Sequence, residues 1–357
     1  MEERNGFDRS SDDCRWGIIL AGGETKRMRR PIKDWLGYCL PKQFCTFTGT
    51  RSMLQHTIDR AKEIIPEERL VIVTLKDYQG YLEDCIDSFK GTILYQPSNR
   101  DTAPAIMLGL SHILEKDPGA VVAVFPSDHF IYPEDRFVSY VDLALSVCEK
   151  DMQRMVFLGA IPSHPESGYG WIKLGDLVEE SFSIPAGDLL DVSMPGTGLL
   201  AADRLWEKPN RCDADWLFRD GWVLNTKVIA AKARTLYAIA WQWIPNILRR
   251  FETYRSVLHA VSERRAPEDH LAIATYHLYL GLRPVDFFLE VAQNAFDRTL
   301  VLPMDAGLHW SDWQHPDRVT NSLDMLNLRS DFPSRKPGEK PIPASPVQSD
   351  AGRRQYA

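Results

Sequence analysis

Short apolar runs alternate with amphipathic stretches along the first 160 residues of the chain. Each run holds four to six residues rich in Val, Ile, Leu and aromatic side chains, as buried strands do. Between the runs, apolar residues recur at helical spacing. Five strands are therefore predicted, at residues 16–20, 70–75, 92–95, 121–125 and 155–159.

Two of the segments between these runs carry signals for a helix start. Ser52 is followed three residues later by Gln55, the capping-box spacing, which predicts a helix over residues 53–64. Asp101 or Thr102 can cap the next helix. Strands that alternate with crossover helices predict an α/β fold: a Rossmann-like, mixed and mostly parallel sheet with helices on both faces.

Ligands of such sheets bind beyond the carboxyl ends of the strands. Gly22 and Gly23 follow the first predicted strand, and Asp128 follows the fourth. A Gly-Gly pair lets backbone N–H groups approach a phosphate chain, and a carboxylate suits a hard cation such as Mg²⁺. Both features also have ordinary structural explanations, because glycine pairs form turns and Asp caps them.

The pattern is less regular outside this region. The basic stretch after Gly23 is predicted to be loop-like, and residues 183–198 read as a loop or hairpin insertion. Residues 227–260 and 267–296 are predicted to be mostly helical.

Composition divides the chain into three parts. Residues 1–14 are expected to be a flexible leader and residues 15–325 a single domain. Residues 329–357 contain five prolines among polar residues, which predicts a disordered tail.

The net charge of −7 argues against broad nucleic-acid binding.

With no apolar run of about 18 residues and a polar start, the chain is expected to be cytoplasmic, with no membrane partner. Its six cysteines show neither a CxxC pair nor regular spacing, so no zinc site or disulfide framework is indicated. The sequence is compatible with a homodimer.

A second carboxylate that could share a metal with Asp128 is Asp312, in a short polar pair between tryptophans within a predicted helical region. A helix cap is the alternative explanation for it. Lys208 could bind a phosphate as a point charge, or be a surface lysine.

In this order the motifs resemble the nucleotidyltransferases that activate sugar 1-phosphates, most closely the mannose-1-phosphate guanylyltransferases. The resemblance covers residues 16–320. It rests on Leu20-Ala21-Gly22-Gly23 with Arg27, Pro41-Lys42-Gln43-Phe44, Asn99-Arg100-Asp101-Thr102-Ala103-Pro104-Ala105, Pro126-Ser127-Asp128-His129, Pro165-Glu166-Ser167-Gly168-Tyr169-Gly170, Glu207-Lys208-Pro209 and Trp310-Ser311-Asp312.

The resemblance implies a nucleotide-diphospho-sugar transferase fold over residues 15–325. It also implies attack of mannose 1-phosphate on the α-phosphorus of GTP, with Mg²⁺ or Mn²⁺ as cofactor. The implied catalytic residues are Arg27, Lys42, Asp128 and Lys208, and the implied metal ligands are Asp128 and Asp312. The implied nucleotide-binding residues are Ala21, Gly22, Gly23, Arg27, Lys42, Asn99, Asp101 and Thr102. The implied sugar-phosphate-binding residues are Gly170, Glu207, Lys208 and Asn225.

Two departures from the family pattern keep alternatives open. Thr25 stands where the family's loop has its third glycine. The family's Trp-Asn-Ser-Gly sugar loop keeps Asn225 but not its tryptophan or glycine, and Lys227 follows Asn225-Thr226. The alternatives are transfer to another sugar 1-phosphate or from another nucleotide, and a catalytically weak, nucleotide-binding regulatory paralogue.

Overall fold

The computed structural model of the chain describes residues 14–24, 26–150, 153–179 and 198–333. The strands of these residues are β1 (Arg15–Leu20), β2 (Leu70–Leu75), β3 (Thr92–Gln96), β4 (Val121–Pro126), β5 (Phe130–Tyr132), β6 (Met155–Ala160), β7 (Gly170–Glu179), β8 (Leu199–Glu207), β9 (Val223–Lys232), β10 (Thr299–Met304) and β11 (His309–Ser311). The helices are α1 (Lys26–Leu36), α2 (Met53–Lys62), α3 (Gln79–Cys85), α4 (Thr102–Lys116), α5 (Glu134–Lys150), α6 (Arg211–Arg219), α7 (Ala233–Trp243), α8 (Pro245–Ser262), α9 (Asp269–Tyr279), α10 (Phe287–Glu290) and α11 (Pro316–Met325).

Nine of these strands form one sheet in the order β3-β2-β1-β4-β9-β6-β10-β8-β7, and β5 pairs with β11. Strands β1 to β4 pair in parallel, as do β6 and β10. Strand β8 pairs antiparallel with β10 and β7, and β9 pairs antiparallel with β4, β6 and β7. Seven of the nine strands therefore run the same way, which confirms the predicted mixed and mostly parallel sheet.

Helices cover both faces of this sheet, as predicted. Ile18 of β1 packs into one buried cluster with residues of α4, α7 and α8, while its neighbour Ile19 packs into another with residues of α2 and α5. Because successive side chains of a strand point to opposite faces, a strand that is apolar throughout is needed between two helical layers.

The five predicted strands are present with ends within one residue of those predicted, and the capping box is formed. Ser52 Oγ accepts from the Gln55 N–H at 3.2 Å, and Gln55 Oε1 accepts from the Ser52 N–H at 2.8 Å. The helix that they begin ends at Lys62, two residues before the predicted end.

The prediction of a loop after Gly23 was wrong, because residues 26–36 form α1. Met28 and Ile32, four residues apart on one helix face, are fully buried against Phe47, Trp313 and α11. Trp313 and α11 lie almost 300 residues away in sequence, and most of the other residues of α1 are exposed and many are basic. Tertiary burial therefore forms a helix that local sequence did not reveal.

The mostly helical prediction for residues 227–260 is confirmed from residue 233, where α7 begins, but it was wrong for residues 227–232, which complete strand β9. Val228 to Ala231 are buried and fill the space between β4 and β6, with which β9 pairs. Residues 280–286 are not helical either, so α9 and α10 are separate elements.

Three predicted regions fall largely outside the described residues, namely the leader, the 183–198 insertion and the tail from residue 334 on. Within the stretch assigned to the tail, Phe332 is buried, with its ring centroid 5.2 Å from that of Trp35 and 5.4 Å from that of Phe47. Residues 329–333 therefore pack on the domain. None of the described helices is both long and apolar enough to cross a membrane.

A buried histidine between α4 and α8 gives the fold a pH dependence. His112 Nε2 lies 2.6 Å from the Tyr254 hydroxyl, and burial lowers the pKa of His112 to about 4. The unfolded chain binds this proton at higher pH, so stability falls as the pH drops from about 6.5 to 4. In His112→Gln we expect the loss of stability between pH 7 and pH 4.5, measured by urea unfolding, to be about 2 kcal/mol smaller than in the wild type. Parallel losses in the variant and the wild type would contradict this assignment.

Candidate active site

The paired glycines form a loop directly after β1, at the predicted place. The Ala21 N–H extends the strand by donating to the Val73 carbonyl at 2.8 Å. The Gln43 side-chain amide donates to the carbonyls of Ala21, at 2.8 Å, and of Gly23, at 3.2 Å. A Cβ at Gly23 would meet no atom within 4 Å. The protein therefore holds the loop by its carbonyls while Gly23 borders open space, as a phosphate-binding loop requires.

Other predicted residues of this loop differ in environment. Gly22 is tightly packed, because a Cβ there would lie 3.0 Å from Gln96 Nε2. Arg27 is exposed on the first turn of α1, close in sequence to the loop. Thr25 lies outside the described residues.

Lys42 connects the two predicted metal ligands. Its ammonium lies 2.8 Å from Asp128 Oδ2 and also donates to the main-chain carbonyl of Asp312. The Lys42 side chain is fully buried, whereas Asp128 is 26% exposed. Contacts between residues up to 270 positions apart in sequence thus bring the two carboxylate residues to one lysine.

Asp128 stands at the carboxyl end of β4, where Ser127 fixes the chain to β1. The N–H and hydroxyl of Ser127 both donate to the Leu20 carbonyl, at 3.2 and 2.8 Å. Burial raises the pKa of Asp128, but Lys42, with smaller contributions from His129 and Lys227, holds this pKa below its usual value. The carboxylate is consequently ionised at neutral pH, as a metal ligand must be.

Asp312 follows strand β11 rather than lying in a helical region, which corrects the prediction. Arg318 Nη1 donates to Asp312 Oδ1 at 2.6 Å, and Nη2 donates to Glu166 Oε2 at 2.8 Å. The guanidinium carbon lies 4.0 Å from the centre of the Tyr169 ring. Arg318 therefore ties the second carboxylate to the loop of residues 166–169.

Three of the predicted sugar-binding residues meet where β7, β8 and β9 pair. Gly170 is in register with Glu207 on one side and with Asn225 on the other. A Cβ at Gly170 would overlap with Glu207 Oε2. Gly170 therefore leaves room for the buried Glu207 carboxylate, which any larger side chain at this position would displace.

Two lysines contact this carboxylate. Lys227 Nζ lies 3.2 Å and Lys208 Nζ 3.7 Å from the same oxygen, Glu207 Oε1. Burial lowers the pKa of Lys227, but Glu207 and Asp286 outweigh it, so that the pKa is raised and the ammonium stays charged. Lys227 therefore lies with the predicted sugar-phosphate-binding residues, although the prediction did not include it.

The 99–102 loop lies near these lysines. Asn99 Oδ1 accepts from the Asp101 N–H at 2.9 Å, and Asp101 Oδ1 accepts from the Thr102 N–H at 2.7 Å. Burial and Asp286 raise the pKa of Asp101, while Lys227 and Lys208 lower it by less. The predicted nucleotide loop is thus within electrostatic reach of the predicted sugar-phosphate lysines.

Unusual backbone conformations concentrate at this site. Among the described residues, seven that are not glycine have positive φ, and four of them belong to or adjoin the groups above: Asp101, Lys208, Lys227 and Trp313. Such conformations cost about 1–3 kcal/mol each and persist where surrounding contacts enforce them, commonly at ligand sites. This clustering was not visible in the sequence, which names the residues but not their backbone angles.

Gln43, Arg318 and Lys227 are the site residues that the predicted set omitted. Gln43 belongs to a motif that was recognised, and its amide holds the loop. Lys227 stands in the altered sugar loop and Arg318 in no recognised pattern, and only their contacts assign them to the site.

The structure thus places a glycine loop, an acidic pair and a glutamate flanked by two lysines at the strand ends of a mostly parallel α/β sheet. The chain belongs to the nucleotidyl transferase family, whose sequence profile matches residues 16–250.

The predicted resemblance to mannose-1-phosphate guanylyltransferases is confirmed. The chain is 33% identical over 319 residues to mannose-1-phosphate guanylyltransferase RfbM of Salmonella typhimurium, covering 87% of this chain and 60% of that protein. It is 26% identical over 313 residues to mannose-1-phosphate guanylyltransferase 2 of Escherichia coli O157:H7, covering 83% and 58%. The chain thus spans about 60% of the length of these curated relatives.

Solved structures show the same fold. A protein described as mannose-1-phosphate geranyltransferase from Thermus thermophilus superposes with a TM-score of 0.67 at 22% identity, over 86% of this chain and 79% of that one. At this identity the likeness establishes the fold class, which confirms the predicted nucleotide-diphospho-sugar transferase type.

Proposed function

We propose that the chain transfers GMP from GTP to mannose 1-phosphate, giving GDP-mannose and pyrophosphate. The observation that carries the proposal is the acidic pair Asp128 and Asp312, joined by Lys42, at the same strand ends as the glycine loop and the Glu207 group. The names of the relatives support the choice of GTP and mannose 1-phosphate.

The residues present fit a divalent cation such as Mg²⁺ or Mn²⁺. Lys42 contacts Oδ2 of Asp128, and Arg318 contacts Oδ1 of Asp312, so each carboxylate has a second oxygen for a metal. In the described part of the chain, no three His, Cys, Asp or Glu side chains form a complete metal cage. That suits Mg²⁺, which binds through one or two carboxylates together with substrate phosphates. When bound, the metal would neutralise the phosphate oxygens of the nucleotide.

The protein's own groups would position two anions in line. The loop at Gly22 and Gly23 and the exposed Arg27 would hold the triphosphate, with residues 99–102 beside the base. Gly170, Glu207 and Asn225 would border the sugar, and Lys208 would bind its phosphate. A phosphate monoester is already a competent nucleophile, so positioning and charge neutralisation suffice without a general base.

The test is release of pyrophosphate from GTP and mannose 1-phosphate with Mg²⁺. We expect release that depends on all three components. No release with any of several nucleotides and sugar phosphates would refute the proposal.

A second candidate is transfer to a different sugar 1-phosphate. The observation that favours it is the contact of Lys227 with Glu207, the residue proposed to bind mannose hydroxyls. A panel of sugar 1-phosphates in the same assay separates the two candidates. The highest kcat/KM with mannose 1-phosphate supports the first candidate, and the highest kcat/KM with another sugar supports the second.

Gln43 is expected to position the nucleotide loop without touching the sugar. Gln43→Leu removes two hydrogen bonds to the loop carbonyls, worth about 1 kcal/mol each. We expect the KM for GTP to rise about tenfold and the KM for mannose 1-phosphate to stay within about twofold. Equal rises in both constants, measured by steady-state kinetics, would show that Gln43 acts on the whole site instead.

A further inference from the structure

Lys227 has a backbone conformation that favours glycine. Its φ of +62° lies in the left-handed region, inside strand β9. Its N–H donates to Asn225 Oδ1 at 2.9 Å, and the neighbouring Thr226 hydroxyl donates to the Leu158 carbonyl at 2.7 Å. The contacts around Lys227 thus hold a long side chain at a position where the backbone disfavours one.

The Lys227 side chain lies at the predicted sugar-phosphate group. Its ammonium lies 5.2 Å from the centre of the Phe288 ring and 3.2 Å from Glu207 Oε1, with the side chain 24% exposed. The Asp286 and Asp312 charges also act on it. Lys227 is therefore a cation among acidic groups of both halves of the site.

Lys227 and Lys208 together offer a cationic site beside Glu207. Lys208 and Lys227 both contact Glu207 Oε1, so their ammonium groups lie close together. Both ammonium groups share one oxygen of Glu207, whereas a phosphate monoester offers three oxygens and up to two negative charges near neutral pH. Each ammonium has three N–H donors, which leaves capacity for phosphate oxygens beyond the contact with Glu207.

We propose that Lys227 is a second phosphate-binding lysine, which binds the phosphate monoester of the acceptor together with Lys208. Glu207 holds the two ammonium groups side by side before the acceptor arrives. This inference rests on the proposed function for the identity of the acceptor, and it extends the phosphate-binding group beyond the residues that sequence motifs supplied.

Three substitutions separate phosphate binding from a structural role. Lys227→Met removes the charge and keeps the stem against Phe288. Lys227→Gly also relieves the backbone, and Lys227→Arg keeps a positive charge. The matched control is Lys173→Met, which removes an exposed lysine of β7 that pairs with Asp203 at 2.9 Å.

Calorimetry of the full chain with mannose 1-phosphate, and with inorganic phosphate as a simpler probe, measures binding without turnover. We expect Lys227→Met and Lys227→Gly to weaken both ligands about ten- to a hundredfold, the range for a hydrogen bond to a charged group. We expect Lys227→Arg to retain most of the affinity and Lys173→Met to retain all of it.

The outcomes separate this inference from the proposed function. If Lys227→Met and Lys227→Gly bind both probes within twofold of the wild type, Lys227 has only a structural role, whatever their melting temperatures. Absence of wild-type binding to either probe overturns the inference as well. Binding that depends on Lys227, without pyrophosphate release, supports the inference and refutes the proposed function.

Discussion

Asp128→Asn should reduce metal-dependent turnover about a thousandfold. The amide keeps the shape of the side chain but not the charge that a hard cation needs. A metal bound to phosphate oxygens supplies several kcal/mol of charge stabilisation in the transition state, and about 1.4 kcal/mol corresponds to a factor of ten in rate. The measurement is the initial rate of pyrophosphate release at saturating substrates over a series of Mg²⁺ concentrations.

Asp128→Asn should also lower the stability of the fold, because Asp128 forms an ion pair with Lys42. The fully buried Lys42 loses its carboxylate partner in Asp128→Asn, which should cost about 3 kcal/mol of unfolding free energy. The double variant Lys42→Met with Asp128→Asn should recover stability without activity. Asp203→Asn, which alters an exposed pair with Lys173, should leave both unchanged. Turnover of Asp128→Asn within tenfold of the wild type would remove this carboxylate from the metal site.

Gly170→Ala should disable the sugar half of the site while leaving nucleotide binding intact. The added methyl group would overlap with Glu207 Oε2, far inside van der Waals contact, so the Glu207 carboxylate, which contacts both lysines through Oε1, must shift. We expect kcat/KM for mannose 1-phosphate to fall about a hundredfold, since a small displacement of a positioning group is costly. The affinity for GTP, measured by calorimetry, should stay within twofold.

A double-mutant cycle tests the cause of that loss. If Gly170→Ala acts by displacing Glu207, then Gly170→Ala combined with Glu207→Ala should lose no more activity than Glu207→Ala does. Multiplicative losses would show that the methyl group acts in another way, for instance on Asn225, whose Cβ would lie 3.3 Å from it.

The sequence predicted the elements whose signals are local. Strand β1 and the glycine loop adjoin in sequence, as do β4 and Asp128, and the Ser52–Gln55 capping box needs four residues. These features were found because the hydrophobic pattern and the polar residue that ends it lie side by side. The strands of the second half were missed, since β7 to β10 are defined by pairing with distant partners.

Long-range contacts also explain what was missed at the site. Helix α1 is basic by composition and becomes a helix because Met28 and Ile32 pack against residues near position 320. Arg318 acquires its role by reaching Glu166, 152 positions away. Lys227 stands where the family's pattern was broken, and its role follows from a backbone angle together with a contact to Glu207. None of these follows from residue spacing along the chain.

In the proposed reaction, one site joins the phosphate of a sugar to the α-phosphorus of a nucleotide. The sharpest test uses mannose 1-phosphate labelled with ¹⁸O at its terminal phosphate oxygens, incubated with GTP and Mg²⁺, with the products analysed by mass spectrometry. We expect GDP-mannose that retains all of the label and pyrophosphate that carries none. Label in the pyrophosphate, or GMP and pyrophosphate without GDP-mannose, would contradict the proposed reaction.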